Sequence, residues 1–272
     1  MCIDMADSAN KSLEDYPRYL EPGFTPFDPL ELAKQTEEIV CNGDRRKYTK
    51  FSCPRMYGGI ATGYACGCCL RCIFCWVHWS RDFPEKYGSF KSPDEVFDEL
   101  SRRARRKRVK QLRISGAEPT LGKSHLLKLL ELVEKSTFRL FILETNGILL
   151  GADQDYARQI AAFKKVHTRV ALKAGTPEAF TRKTGAKPEF FELPLQGIKN
   201  LLSAGASCHV AAMSADPRFM TKEERKSLFE RLSAIHPALL SNLEEEIVTP
   251  YPAARQRLLY AGVKVDCEQS RT

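Results

Sequence analysis

Cys68-Cys69-Leu70-Arg71-Cys72-Ile73-Phe74-Cys75 decides how this chain is read. The spacing is C-x3-C-x2-C. Three thiolates on one short loop hold three corners of a cubane iron–sulfur cluster, whose irons take Cys thiolates as ligands. A purely electron-transferring 4Fe–4S cluster takes four protein ligands, so three leave one iron open to chemistry. Other ligand sets share the loop. Cys66, Cys69, Cys72 and Cys75 form a C-x2-C-x2-C-x2-C series that suits a closed four-ligand cluster. That series lacks the final x3 spacing and following Pro of a bacterial ferredoxin run; Trp76 stands there instead. Two CxxC pairs also suggest a closed zinc site, although zinc pairs are usually separated by a longer stretch. A disulfide framework is a third alternative.

The 272 residues allow one large domain or two small ones, and 43% hydrophobic with 28% charged content is ordinary for a globular chain with a sizeable core. No stretch approaches the roughly 20 apolar residues that span a bilayer, so no membrane partner is expected. The start, Met1 to Asp7, is acidic and lacks a basic-then-apolar leader pattern, which predicts a cytoplasmic protein. Ten cysteines, five of them between Cys66 and Cys75, fit a reducing compartment and metal binding. The scattered Cys2, Cys41, Cys53, Cys208 and Cys267 read as buried or free thiols and suggest no second cluster. Net charge is +8, with Arg102, Arg103, Arg105, Arg106, Lys107, Arg108, Lys110 and Arg113 in one stretch. No aromatic residues interleave there as a base-stacking surface would want. The stretch therefore reads as a solvated helix end, where cations complement the dipole, with nucleic-acid or acidic-partner contact as the other reading.

Residues 1–55 read as a Pro-rich N-terminal extension with one helix from about Asp28 to Val40. Residues 56–272 read as one catalytic domain in which strands and helices alternate. Strands are expected over 56–64, 109–114, 140–143, 168–172, 207–213 and 246–248. Ser92-Pro93-Asp94-Glu95 and Thr221-Lys222-Glu223-Glu224 are capping boxes that open helices. Further helices are expected over 124–135, 153–164 and 188–204, with a short one opening at Thr176-Pro177-Glu178. Such alternation predicts βα units on a parallel sheet. About six units fit, fewer than the eight of a closed TIM barrel of roughly 250 residues. The fold class is therefore α/β, a partial (βα)6 TIM-like barrel with a short N-terminal extension.

In such barrels chemistry sits at the C-terminal ends of strands. The Cys loop follows the first strand. Ser115-Gly116-Ala117-Glu118-Pro119 ends the second, Glu144-Thr145-Asn146-Gly147 the third and Leu172-Lys173-Ala174-Gly175 the fourth. Taken together these segments resemble the radical SAM family over roughly residues 57–250. In that family three such cysteines hold the cluster. The open iron is chelated by the amino and carboxylate groups of S-adenosylmethionine (SAM). An aromatic residue, here Phe74, precedes the last Cys. The segment at Gly116, Ala117 and Glu118 looks like the family's Gly-Gly-Glu element, which binds the SAM amino group, with Ala117 replacing the second Gly. Thr145-Asn146-Gly147 and Leu172-Lys173 resemble elements of the glycyl-radical (pyruvate formate-lyase) activating enzymes. There a polar group such as Asn146 contacts the ribose or carboxylate, and a lysine such as Lys173 contacts SAM or substrate.

The resemblance implies an enzyme with a 4Fe–4S cluster on Cys68, Cys72 and Cys75 and SAM as second cofactor. A reduced cluster would cleave SAM to a 5′-deoxyadenosyl radical that abstracts hydrogen from an unidentified substrate. It also implies a one-electron donor of flavodoxin or ferredoxin type. The substrate would be a protein, as for the activating enzymes, a small molecule or an RNA. An RNA substrate would draw on the basic stretch, and its binding would weaken steeply with salt. A reading from another class is a non-catalytic protein with a closed iron–sulfur or zinc site. Trp76, His78 and Trp79 read as loop packing or a shield for the cluster. His167 and His209 read as core histidines. Residues 213–216 and 248–251, at the last two strand ends, are candidates for contact with adenine or substrate.

Overall fold

The computed structural model describes residues 15–264; Met1 to Asp7, Cys2 and Cys267 lie outside them. Helix α1 (Pro29–Val40) opens on Asp28, whose carboxylate accepts from Leu30 N and Glu31 N at 2.7 and 3.2 Å. Strands β1 (Cys41–Asn42), β2 (Arg45–Ser52), β3 (Ala61–Ala65) and β4 (Ser89–Lys91) follow. Then come α2 (Pro93–Lys107), β5 (Gln111–Gly116), α3 (Lys123–Lys135), β6 (Leu140–Thr145), α4 (Ile148–Ala152), α5 (Gln154–Ala161) and β7 (Val166–Leu172). The chain continues with α6 (Pro177–Thr184), α7 (Glu192–Ser203), β8 (Ser207–Ala212), α8 (Lys222–Ile235), α9 (Ala238–Ser241), β9 (Glu244–Glu245) and α10 (Pro252–Tyr260).

The strands form one sheet in the order β1-β2-β3-β5-β6-β7-β8-β9, with β4 on the side of β2. From β3 to β9 the six neighbours run parallel; β1, β2 and β4 pair antiparallel. β1 and β9 are edges, so the sheet does not close. This is the expected six-unit partial barrel. Residues 41–52, which the sequence places in the extension, add strands to the same sheet.

Two strand boundaries differ from expectation. Residues 56–58 form a tight turn with Tyr57 at φ 52°, and Gly58 and Gly59 also take positive φ. An extended strand cannot form until Ala61. The last strand covers Glu244–Glu245 instead of 246–248, although Glu246 N still donates to Ala212 O at 2.8 Å.

Alternation along the strands separates two surfaces. Leu112, Ile114, Phe141, Leu143, Val170 and Val210 belong to the apolar core under the helices. α3 meets it with Leu126, Leu129, Leu130 and Val133 on the face its periodicity predicts. Intervening positions such as Arg113, Ser115, Glu144, Arg169 and Lys173 line cavities on the inner face. Among the described residues no helix is long and apolar enough to cross a membrane.

His125 on α3 gives the fold a pH dependence. Its ring is buried between the Tyr48 hydroxyl (3.0 Å) and the Asp44 carbonyl (2.7 Å). Burial pushes its pKa from the ordinary 6.5 down to about 4. Between those values the unfolded chain takes up a proton that the native ring refuses. Stability from this site is therefore complete above pH 6.5 and falls as the pH drops towards 4, by roughly 3 kcal/mol at full extent. Urea midpoints at pH 7 and pH 5 should differ less in His125→Gln than in the wild type. An undiminished difference would assign the acid sensitivity elsewhere.

Candidate active site

Parallel register brings the strand ends level. Ala65 pairs with Gly116, Thr145 with Val170, Leu172 with Ala212, and Ala212 with Glu245. The loops beyond these ends meet at one rim. All nine residues selected from the sequence line a single cavity of about 120 Å3 there: Cys68, Cys72, Phe74, Cys75, Gly116, Ala117, Glu118, Asn146 and Lys173.

The Cys loop is fixed by backbone bonds at both ends. Gly67 N donates to Ser80 O (3.0 Å), Glu118 N to Gly67 O (2.9 Å), Arg71 N to Thr184 O (2.8 Å) and Ile73 N to Lys183 O (3.0 Å). Within it, Leu70 N donates to Cys68 Sγ at 3.4 Å. The adjacent Cys69 thiol lowers the pKa of Cys68, while the same interaction, with burial, raises that of Cys69 well above the ordinary value. Burial pushes Cys72 up to about 12, opposed by the nearby Lys173 ammonium. Asn146 Nδ2 lies 3.3 Å from Cys69 Sγ and 3.7 Å from Cys68 Sγ.

Cys66 faces elsewhere. Its sulfur lies 3.8 Å from Tyr87 O and directly beneath Gly88, and burial pushes its pKa up to about 11. Neither Cys66 nor Cys69 lines the cavity. The loop therefore gathers the C-x3-C-x2-C set on the open space and turns Cys66 away from it.

Gly116 is where β5 presses on β3. It sits at φ 99°, and a Cβ there would lie 2.8 Å from both Ala65 N and Ala65 O. Only glycine combines that conformation with that approach. Ala117 N donates to Ala65 O at 3.1 Å. Glu118 is buried, and its carboxylate accepts from Thr120 N (3.0 Å), Thr120 Oγ1 (2.6 Å), Thr145 Oγ1 (2.7 Å) and Asn146 N (2.8 Å). Both carboxylate oxygens thus staple the β5 loop to the β6 loop.

A larger cavity of about 650 Å3 adjoins the first and shares Phe74, Trp76, Ser115, Glu144 and Arg169 with it. Its inner wall is ionic. Arg113 pairs with Glu144 at 2.9 Å and donates to Thr62 Oγ1 at 3.1 Å; the Ser115 hydroxyl also donates to Glu144. Arg169 forks onto Glu244 at 2.8 and 3.0 Å and reaches Glu246 at 2.7 Å. Hydrogen bonds from His209 and Arg169 hold the Glu244 carboxyl down to about 2. His167 and His209 are not apolar-core residues: they bond each other at 2.6 Å, and His209 continues to Glu244.

Sequence reasoning missed Arg169, Glu244 and Glu246. The available signal was a charge at an inward position of an otherwise apolar strand. Arg113, counted with the basic stretch, belongs to this wall. The rest of that stretch lies at the end of α2 and the start of β5, the opposite end of the sheet from the Cys loop. Of the aromatic group after the Cys loop, Trp76 lines both cavities and meets Tyr64 edge-on, whereas Trp79 packs under the Arg257 guanidinium.

The radical SAM superfamily model matches residues 64–232, from the end of β3 into α8. The chain belongs to the radical SAM superfamily. Two single-residue variants of spore photoproduct lyase have the same fold. One is 14% identical with a TM-score of 0.55, over 92% of this chain and 75% of that one. The other is 13% identical with a TM-score of 0.55, over 97% and 81%. Streptococcus suis SuiB bound to S-adenosylmethionine is 18% identical with a TM-score of 0.49; 62% of this chain is covered, and it spans 36% of the length of SuiB. No curated protein sequence matches the chain.

Radical SAM proteins use a 4Fe–4S cluster and SAM, and these are the cofactors of this chain. The donor set fits the cluster. Among the described residues no three His, Cys, Asp or Glu side chains converge on a point for a single ion. Cys68, Cys72 and Cys75 line one space, and thiolates are the ligands that such clusters take.

Proposed function

We propose that this radical SAM enzyme holds its cluster on Cys68, Cys72 and Cys75, with SAM against Gly116, Ala117, Asn146 and Lys173. The hydrogen-donating substrate then occupies the ion-lined inner cavity. The observation that carries this reading is the convergence of residues from four separate strand ends on one cavity that opens into a larger one. When bound, the cluster would supply the one electron that splits SAM into methionine and a 5′-deoxyadenosyl radical able to take hydrogen from substrate.

The chain's own residues bind, orient and exclude water. Lys173 offers a point charge to the SAM carboxylate. The Gly116 and Ala117 backbone offers carbonyls to the amino group. Glu118 acts one step back by holding Asn146 and Thr145 in place. Phe74, edge-on to Phe219 at 5.7 Å, closes the apolar side.

Six charged side chains, Lys50, Arg113, Glu144, Arg169, Glu244 and Glu246, line the inner cavity and favour a polar substrate, because an apolar one would desolvate them without compensation. A small polar molecule or a protein side chain fits, the latter in line with the activating-enzyme-like motifs at Asn146 and Lys173. An RNA substrate gains less support, since the basic stretch lies at the far end of the sheet. A low-potential flavodoxin or ferredoxin type donor and a cytoplasmic location complete the reading. The latter suits the free thiols of every described cysteine.

The test is anaerobic. The protein is loaded with iron and sulfide, reduced, mixed with SAM and assayed for 5′-deoxyadenosine. Product in the wild type and none above background with Cys72→Ala is expected. A fully loaded wild type that forms no product and shows no spectral response to SAM would overturn the reading.

A further inference from the structure

Three buried arginines each hold the backbone of one ligand cysteine. Arg71 Nη1 donates to Cys68 O at 2.7 Å, Arg81 Nη1 to Cys72 O at 2.7 Å and Arg257 Nη1 to Cys75 O at 2.5 Å. Their exposures are 0%, 1% and 1%. Arg71 lies inside the loop, Arg81 just beyond it, and Arg257 arrives from α10 at the other end of the chain.

Their charges are not balanced. Asp82, fully buried, pairs with both Arg81 and Arg257. Arg71 has no carboxylate among the described residues. It donates to Pro17 O and Leu70 O and lies 4.9 Å over the Tyr16 ring, and its Nη2 is buried with no partner among the described residues. Among the described residues, these three cations meet one carboxylate, which leaves two positive charges in excess. Arginine does not deprotonate to escape burial. Buried excess charge is costly unless an opposite charge meets it. Three thiolates on Cys68, Cys72 and Cys75, the residues whose carbonyls the arginines hold, would supply that charge.

We propose that Arg71, Arg81 and Arg257 form a cationic cradle that positions the three ligand cysteines and raises the reduction potential of the cluster. This role rests on the three-cysteine reading above. Cluster potentials depend on net charge, hydrogen bonding and burial. A fixed cation nearby favours the state with one more electron, and in a low-dielectric site that attraction is large. In a neutral loop the same carbonyls could be satisfied by backbone or water. The cradle instead places its excess charge on the backbone of the three residues that would hold an anion able to gain an electron.

The test is a potentiometric titration of the loaded protein with dithionite, with iron and sulfide counted in every variant. Arg71→Gln keeps a donor but removes a charge whose loss leaves no carboxylate unpaired. It should lower the one-electron reduction constant at least tenfold, a shift of 59 mV or more. Arg71→Lys should stay nearer the wild type. Asp82→Asn removes the counter-charge and should move the potential the opposite way. Loaded Arg71→Gln and Asp82→Asn proteins with wild-type potentials would overturn the cradle, as would shifts of the same sign. If Arg71→Gln fails to load, loading restored by Arg71→Lys supports the cradle and loading not restored counts against it. A wild type that does not load four irons would instead defeat the underlying three-cysteine reading.

Discussion

Alanine at Cys68, Cys72 or Cys75, one position at a time, is expected to abolish cluster loading and SAM cleavage, whereas Cys66→Ala retains both. The difference follows from where the sulfurs point. Cys68, Cys72 and Cys75 line the rim cavity, while Cys66 lies against Tyr87 O, beneath Gly88, on the far side of the loop. Moving Cys66 into the cavity would require breaking the bonds from Cys66 N to Lys47 O (3.1 Å) and from Arg46 to Cys66 O (2.7 Å). A closed site on Cys66, Cys69, Cys72 and Cys75 would give the reverse pattern, with Cys68 dispensable. Iron and acid-labile sulfide per chain, measured after anaerobic loading, distinguish the two. Retention in Cys68→Ala together with loss in Cys66→Ala would reassign the ligands.

Glu118→Ala is the second large effect, and it acts on the framework before it acts on chemistry. The buried carboxylate accepts four hydrogen bonds, two of them from Thr145 and Asn146 across the gap between neighbouring loops. Each buried donor left without a partner costs about 1–3 kcal/mol. With partial relaxation the loss should reach roughly 3–5 kcal/mol. For a chain of this size that lowers the melting temperature by about 10 °C. Asn146 would also lose the anchor that holds its amide near Cys68 and Cys69. SAM binding should weaken along with stability. Glu118→Gln keeps the volume and one acceptor oxygen and should retain more of both. Thermal denaturation with and without SAM separates the effects, since a ligand that binds only the folded state raises its stability. Equal melting temperatures for Glu118→Ala and the wild type would refute the staple.

Much of this site was legible because its motifs are local. Cys68, Cys72 and Cys75 declare themselves by spacing, and Gly116 to Glu118, Asn146 and Lys173 by their place after apolar strand runs. The parallel strands were legible for the same reason: Leu112-Arg113-Ile114 and Val170-Ala171-Leu172 alternate a buried outer face with an inner one. What stayed hidden was carried by charge. In β2, Arg46 and Lys47 are buried, and their heads reach the carbonyls of Cys66, Glu118, Leu121, Pro84 and Glu85. A strand with buried cations shows no apolar alternation, so residues 41–52 read as an extension. Arg169 was hidden likewise, because its partners Glu244 and Glu246 lie about 75 residues further on. Arg257 was hidden by an even longer separation. His167 and His209 sat in strands and so read as core, yet the open sheet gives its inner face to a polar cavity. Glu118 lines the rim cavity, but its four internal partners could not be read from a strand-end motif.

The most direct test of the open three-cysteine site is electron paramagnetic resonance of the reduced, loaded protein before and after addition of SAM. A cluster with one iron free of protein ligands should change its spectrum when SAM binds, and Lys173→Ala should require more SAM for the same change. A four-iron protein whose spectrum is unaltered at saturating SAM would mean that all four irons are already ligated, and the open site would be wrong.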